Sequence, residues 1–258
     1  MVNTLNAVRY ITPLREGGSL PAVVEADDGE LYVMKFVGAG QGAKALIAEL
    51  VAGEVARALA LPVPEIAFMT LDPRFGNTES HDEIRDLLLA SAGLNLALRY
   101  LPQAFGFNPL LEPSPDPAFA SSVVWFDAFV SNVDRTLRNP NILWWQDNLW
   151  LIDHGAALYF HHGTAPEEFA ARSANPFPMI RQHVLLPFAS ALEEADLVLR
   201  QRLPDERIDE IVAMIPEAWL GSGEHFVGRA AYAGYLKRRL RASDVFVQEA
   251  IRARSTHA

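Results

Sequence analysis

The chain has 258 residues, of which 50% are hydrophobic, so it is long enough to bury a sizeable core in one large domain or two lobes. Its net charge of −10 argues against binding to nucleic acid or to an anionic membrane, and the lack of cysteine excludes disulfides and thiolate metal sites. Because neither a signal peptide nor an apolar run of membrane-spanning length is found, we expect a cytoplasmic protein.

Predicted strands dominate the first 101 residues. Apolar runs of strand length, separated by turn residues, indicate five strands, at residues 6–12, 22–26, 31–37, 65–71 and 95–101. Apolar residues at helical spacing indicate helices at 44–61 and 82–90, and the polar stretch at 72–81 is expected to be a loop.

Gly17, Gly18 and Ser19 lie between the first two predicted strands. Two adjacent glycines allow a tight turn whose backbone N–H groups can face a phosphate. An ordinary hairpin turn has the same sequence signature, so the three residues are candidates for phosphate binding and the plain turn is the alternative.

Lys35 lies inside the third predicted strand, and Glu49 lies in the helix that follows it. A strand lysine followed by a helix glutamate is the pair that positions ATP phosphates in kinases. The simpler interpretation, in which each residue faces solvent, would be preferred if the two were considered without the rest of the chain.

Helices are predicted to dominate after residue 117, at 118–130, 165–174, 189–202, 205–215 and 227–252, the last broken near Ser243. The proline-rich stretch from 102 to 117 lacks clear periodicity and is interpreted as a linker and lid. The pattern predicts an α+β, two-lobed fold resembling a protein kinase, with an N-lobe at 1–101 and a helical C-lobe at 118–258.

Three polar residues surround a predicted hairpin between residues 141 and 152. Asp134 precedes the hairpin, Asn139 follows Asp134 by five residues, and Asp153 comes directly after the second strand. Kinases place the catalytic Asp, the metal-binding Asn and the second metal-binding Asp in this order. Asn141 is the alternative to Asn139, because its Asn-Ile-Leu context is similar to the strand opening in aminoglycoside phosphotransferases.

The segments EGGSLP, YVMKF, NVDRTLRNPNIL and LWLIDHG together resemble the HipA-like kinases and, more distantly, the phosphatidylinositol kinases. The resemblance implies a bilobal kinase-like fold, ATP and Mg²⁺ as cofactors, and, as in the toxin members of the family, transfer to a serine or threonine hydroxyl. The chain departs from the kinase pattern at His154, which replaces the Phe of D-F-G, and in having Asn-Val-Asp instead of His-Arg-Asp. We expect the chain to begin almost at the kinase core, without the extra amino-terminal segment characteristic of full-length HipA toxins, so neither a toxin role nor an antitoxin partner is carried over.

The candidate site therefore has three parts. Asp134, Lys35 and Glu49 are the predicted catalytic residues, Gly17, Gly18, Ser19 and Lys35 the predicted nucleotide-binding residues, and Asn139 and Asp153, with Asn141 as alternative, the predicted metal ligands. The expected acceptor is a protein or a small molecule. A non-catalytic nucleotide-binding module is the second hypothesis, motivated by the weak glycine motif, and a metal-dependent hydrolase is a more remote third.

Three further residues receive structural interpretations. Arg135 could contact a phosphate or hold its loop in place, and the two roles are weighted equally. His154 is interpreted as orienting the backbone, and His161 with His162 is expected to lie at the surface, because no acidic or cysteine companions occur at metal-ligand spacing.

Overall fold

The computed structural model describes residues 2–14, 20–77, 80–223 and 226–256. Gly17, Gly18 and Ser19, the candidates for phosphate binding, lie outside the described residues, so that assignment stays a prediction. The fold is α+β, with a strand-rich amino-terminal region and a mainly helical carboxyl-terminal part, as the sequence predicts.

Five strands close into a barrel in the order β1-β2-β3-β5-β4. Their bounds are β1 (Asn3–Pro13), β2 (Ala22–Ala26), β3 (Leu31–Lys35), β4 (Ile66–Leu71) and β5 (Gly93–Arg99). Neighbours are antiparallel except β1 and β4, whose parallel pairing closes the barrel. Closure pairs the backbone N–H and C=O groups that edge strands would otherwise leave exposed.

The helices are α1 (Gly42–Ala58), α2 (Arg74–Asn77), α3 (Asp82–Ala90), α4 (Pro117–Val130), α5 (Phe169–Arg172), α6 (Leu192–Leu199), α7 (Asp205–Ala213), α8 (Arg229–Arg241) and α9 (Ser243–Ser255). The break between α8 and α9 is at the position predicted from sequence, whereas α2 lies in a stretch that was expected to be a loop. No helix in the described part of the chain is long and apolar enough to cross a membrane.

Helix α4 leads directly into the predicted catalytic loop. Asp116 caps its first turn by accepting a hydrogen bond of 2.9 Å from the backbone N–H of Phe119, and Pro117 occupies the first helical position. The helix ends at Ser131, whose left-handed backbone (φ 55°) turns the chain. The Ser131 hydroxyl lies 2.8 Å from that of Tyr235 on α8, so this turn is attached to the helical part.

A second sheet, β6-β7-β8, carries the loop and the turn of the candidate site. Its strands are β6 (Phe105–Gly106), β7 (Ile142–Trp145) and β8 (Asn148–Leu151). Gln146 and Asp147 both have positive φ (47° and 58°), as a two-residue hairpin turn of type I′ requires. The predicted hairpin is therefore present, and the predicted linker supplies β6 as its third strand.

The buried apolar residues form two cores. The barrel core contains Met34 on β3 and Met69 on β4. The helical core contains Leu50 on α1, Phe126 on α4 and Leu236 on α8. Helix α1 therefore packs with the carboxyl-terminal helices, although it lies between two barrel strands in the sequence.

Candidate active site

Lys35, the last residue of β3, contacts two predicted site residues at once. Its Nζ donates hydrogen bonds of 2.5 Å to Glu49 Oε2 on α1 and 2.5 Å to Asp153 Oδ1 after β8. The Glu49 side chain is fully buried, and that of Asp153 is 49% exposed. The fold thus brings three predicted residues, distant in sequence, into direct contact.

The charges in this group stabilise one another. Burial favours neutral Lys35, but the carboxylates of Glu49 and Asp153 outweigh it and raise the pKa of Lys35 above its usual value. Burial likewise favours neutral Glu49, but Lys35 and His154 hold the pKa of that carboxyl well below its usual range. At neutral pH, Lys35 is therefore a cation and Glu49 an anion.

His154 contacts the other oxygen of Glu49. Its Nδ1 lies 3.3 Å from Glu49 Oε1, its side chain is fully buried, and its ring meets Phe126 edge to face with centroids 5.6 Å apart. Because an ionised carboxylate can only accept hydrogen bonds, Nδ1 carries the proton in this contact. His154, which the sequence suggested as a backbone-orienting residue, thus contacts the predicted catalytic Glu49 through its side chain.

Asp134 and Asn139 lie together on the loop before β7. Asn139 Nδ2 donates a 2.8 Å hydrogen bond to Asp134 Oδ2. Partial burial raises the pKa of Asp134 above its usual value, and the charge of Asp153 adds to the rise, while Asn139 opposes it. A raised pKa makes Asp134 a stronger proton acceptor in its ionised form.

Asn141, the alternative metal ligand, adopts a left-handed backbone conformation (φ 50°) at the start of β7. Its amide is close enough to Asp134 to lower the pKa of that carboxyl, yet its buried Nδ2 has no hydrogen-bond partner among the described residues. Asn139 and Asn141 therefore both lie beside Asp134, and the geometry does not separate their roles.

A cavity of about 930 Å³ lies over these residues. Its polar lining includes Lys35, Asp134, Asn139, Asn141 and Asp153, and also Gln41, Arg99 and Tyr100. Its apolar lining includes Val33, Leu46, Leu98, Leu101, Leu143 and Ile152. A volume of this order and a mainly apolar wall with a few convergent polar groups are typical of small-molecule and cofactor sites.

The donor set at the cavity fits a hard divalent cation. Asp153 and Asp134 offer carboxylate oxygens, and Asn139 and Asn141 offer amides. In the described residues no group of three or more His, Cys, Asp or Glu forms a metal cluster. Mg²⁺ commonly takes only one or two protein carboxylates and completes its shell with waters and substrate phosphates, so these residues fit a Mg²⁺–nucleotide site.

A buried network beneath the loop was not identified from sequence. Asp127 on α4 is fully buried, and its Oδ2 accepts hydrogen bonds of 2.6 Å from Arg135 Nε and 2.8 Å from His183 Nε2. Asn132 Nδ2 donates to the other oxygen at 2.8 Å. The available signal was the presence of one charged residue in an otherwise apolar helix, since a buried carboxylate requires partners.

Arg135 holds the loop in place, which decides between its two proposed roles. Its guanidinium, fully buried, donates from one terminal nitrogen to the carbonyl of Asn141 and, at 3.3 Å, to that of Ile152. Ile152 precedes Asp153, and Arg135 follows Asp134. Arg135 thus connects the backbone segments that carry the two site carboxylates.

His183 completes the network in a defined tautomer. Its Nδ1 accepts a 3.1 Å hydrogen bond from the backbone N–H of Leu185, so Nε2 carries the proton donated to Asp127. Burial lowers the pKa of His183, although Asp127 opposes the shift. Burial also favours neutral Asp127, but Arg135 and His183 hold the pKa of its carboxyl well below the usual range.

The expectation that both histidines of the 161–162 pair lie at the surface is wrong for His161, which is fully buried. Its Nδ1 lies 3.3 Å from the Tyr232 hydroxyl, and its Nε2 lies 3.2 Å from Nε2 of the exposed His162. Lys44 Nζ donates to the His161 carbonyl at 2.5 Å. His161 is buried because α8 packs over it. Since α8 is distant in the sequence, the residues around His161 do not reveal this burial.

Comparison with known proteins decides the family. The model of a family described as HipA-like kinase matches residues 7–244. The chain belongs to the HipA-like kinases. The resemblance noted in the catalytic loop, the Asp-His-Gly turn and the strand lysine therefore reflects membership that extends over nearly the whole chain.

Two solved structures are similar to this HipA-like kinase. The Helicobacter pylori proinflammatory kinase CtkA aligns with a TM-score of 0.61 and 15% identity, covering 98% of this chain and 99% of that one. The golgi casein kinase aligns with a TM-score of 0.50 and 10% identity, covering 96% of this chain and 73% of that one. At these identities the likeness shows a shared fold. A search of curated protein sequences finds no match.

Proposed function

We propose that this HipA-like kinase uses ATP and Mg²⁺ to phosphorylate a hydroxyl group, either a protein serine or threonine or a small molecule. The observation that carries the proposal is the contact of Lys35 with both Glu49 and Asp153, on the wall of a cavity that Asp134 also lines. Phosphoryl transfer requires mainly positioning and charge neutralisation, and these residues supply the groups for both.

In this proposal, Lys35 binds the non-transferred phosphates through its Nζ, and Glu49 holds that Nζ in position. Lys35 suits the role because its raised pKa keeps it charged. Asp134 lies near the acceptor and takes the hydroxyl proton, for which its raised pKa is favourable. The apolar wall that includes Val33, Leu98 and Leu143 suits a nucleobase.

Asp153 and Asn139, with Asn141 as the alternative, are the proposed metal ligands. Bound Mg²⁺ would neutralise phosphate charge. The protein prepares this site by holding Asp153 beside Lys35 at 2.5 Å and by connecting the segments around both carboxylates through Arg135.

We further propose that residues 1–101 and 118–258 act as two lobes joined by 102–117. The barrel core and the helical core support this division, although the helical core also includes Ile66 of β4 and Leu96 of β5. The kinase folds of the similar structures support it as well. The position of α1 qualifies it, because this helix belongs to the first range by sequence and to the helical core by packing.

Phosphoryl transfer from γ-labelled ATP, measured as autophosphorylation and ATP hydrolysis with and without Mg²⁺, tests the proposal. D134N removes the proposed proton acceptor and should lower turnover by about 10² to 10⁴-fold. D153N removes a proposed metal ligand and should raise the Mg²⁺ concentration that transfer requires and lower turnover. The matched control is D86N, since Asp86 is an exposed acid on α3 outside the cavity.

Wild-type-like transfer by both D134N and D153N would contradict the proposed roles. Nucleotide binding, detected as a rise in melting temperature with ATP and Mg²⁺ but without transfer or hydrolysis, would instead support the non-catalytic module. Metal-dependent hydrolysis of a substrate in the absence of nucleotide would support the hydrolase.

A further inference from the structure

Glu49 divides its two oxygens between two partners. Oε2 accepts from Lys35 Nζ at 2.5 Å, and Oε1 lies 3.3 Å from Nδ1 of His154. His154 follows Asp153 directly in the chain. Helix α1 is thus connected to the Asp153 turn by two routes, one through Lys35 and one through His154.

The two routes respond differently to the proposed chemistry. A metal would compete with Lys35 for the carboxylate of Asp153, whose Oδ1 lies 2.5 Å from Nζ, and a bound phosphate would compete with that carboxylate for Nζ. The route through Lys35 is therefore the one that metal and nucleotide would weaken. The contact between His154 and Glu49 uses neither a metal-facing nor a phosphate-facing atom, so it can persist.

We propose that His154 is a positioning residue whose Nδ1–H hydrogen bond to Glu49 holds the Asp153 turn against α1 while the metal and nucleotide are bound. The inference rests on the proposed kinase function. It assigns to His154 a role that the Phe of a D-F-G sequence, which has no hydrogen-bond donor, cannot perform.

The surroundings of His154 suit this role. The ring is fully buried and packs edge to face on Phe126, which fixes its orientation. Its buried Nε2 has no hydrogen-bond partner among the described residues, so Glu49 is the polar contact that the ring makes there. Asp153 has a left-handed backbone (φ 54°), and in this turn its side chain lines the cavity while that of His154 is buried.

Two substitutions separate hydrogen bonding from packing. H154F keeps an aromatic ring on Phe126 but removes the donor. H154N loses the ring but places an amide N–H at the position of Nδ1, which can reach Glu49. If the hydrogen bond matters, H154N resembles the wild type in metal dependence and H154F does not; if packing matters, the order is reversed.

The measurement is the Mg²⁺ concentration that gives half-maximal transfer, together with KM for ATP, kcat and the melting temperature of each variant. In H154F we expect this concentration to rise about tenfold, the effect of losing one hydrogen bond to a charged group. In H154N the rise should stay within about threefold, even if the lost ring lowers the melting temperature. Wild-type metal dependence in H154F, or an equal rise in both variants, would overturn the inference.

A second measurement does not depend on activity. In the ¹⁵N spectrum of histidine-labelled protein without nucleotide, the signal absent from H154F belongs to His154. We expect it to show a protonated Nδ1 that shifts in E49Q. A signal from the Nε2–H tautomer would refute the His154 inference and leave the proposed function standing, whereas a wild type that binds no nucleotide would refute the proposed function and leave this contact standing.

Discussion

Arg135 and Asp127 form an ion pair in which both side chains are fully buried and Nε lies 2.6 Å from Oδ2. Asp127 belongs to helix α4, and Arg135 to the loop that carries Asp134. Because Arg135 also donates to the carbonyls of Asn141 and Ile152, this pair fixes the backbone on both sides of the candidate site.

Removing one partner of this pair should strongly destabilise the protein. D127N leaves the Arg135 guanidinium buried without a counter-charge, and we expect the free energy of unfolding to fall by about 3 to 5 kcal/mol. Urea denaturation gives the change. The control is E210Q, which removes one partner of the exposed pair with Arg207 and should cost about 0 to 1 kcal/mol. Equal losses in both variants would contradict the importance of the buried pair.

Stability should fall as the pH is lowered through the histidine range. Burial lowers the pKa of His161 well below its usual value and also lowers that of His183. The unfolded chain, with a histidine pKa of about 6.5, therefore binds protons at pH values where the native state does not. Stability that is present above a pH of about 6.5 is lost as the pH falls further, until the folded pKa is reached. Each histidine contributes a slope of at most about 1.4 kcal/mol per pH unit.

Urea midpoints between pH 7.5 and 5 measure this slope. H161Q removes one of the two buried groups, so its slope should be shallower than that of the wild type. H81Q changes an exposed histidine and serves as the control. A wild-type midpoint that does not change over this range would show that neither His161 nor His183 is held neutral by burial.

The choice between Asn139 and Asn141 is open to a direct comparison. Sequence spacing favours Asn139, and sequence context favours Asn141. We expect N139A to raise the Mg²⁺ requirement and to lower turnover by at least about tenfold. Even the loss of a residue that only supports a metal ligand typically costs that much. N141A should change the Mg²⁺ requirement less. Intact turnover in N139A would transfer the role to Asn141.

Stability and activity should separate at Lys35. K35M leaves the negative charge of Glu49 buried without its lysine partner, so the free energy of unfolding should fall by about 3 to 5 kcal/mol. Phosphoryl transfer should fall as well. The double variant K35M/E49Q removes both charges and should recover most of the stability. Transfer should not recover, because no cation replaces Nζ. Recovery of transfer in the double variant would show that Lys35 does not bind phosphate.

The parts of the fold that depend on local sequence were predictable. The hairpin β7–β8 follows from two apolar runs and a polar turn, and motifs of a few residues single out Lys35, Asp134 and Asp153, which the structure brings to one cavity. The parts set by distant partners were not. Parallel pairing of β1 with β4 leaves no local pattern, and β6 has only two residues, too few for a strand signal.

The buried network shows the same limit. Asp127 and His183 are 56 residues apart, and neither sequence neighbourhood indicates the other. His161 looks like a surface histidine until Tyr232 is placed against it by α8. Burial of a polar side chain depends on what covers it, and tertiary packing alone determines that.

The division of the buried residues into two cores affects how Lys35 meets Glu49. Lys35 ends a strand of the barrel, whereas Glu49 lies on a helix packed in the helical core, so their salt bridge spans the boundary between the two. The distance between Lys35 Nζ and Glu49 Oε2 therefore depends on how the barrel is aligned with the helices. A substitution deep in either core that rotates one against the other would misalign this pair, and would impair the proposed binding of phosphate without altering any residue that lines the cavity.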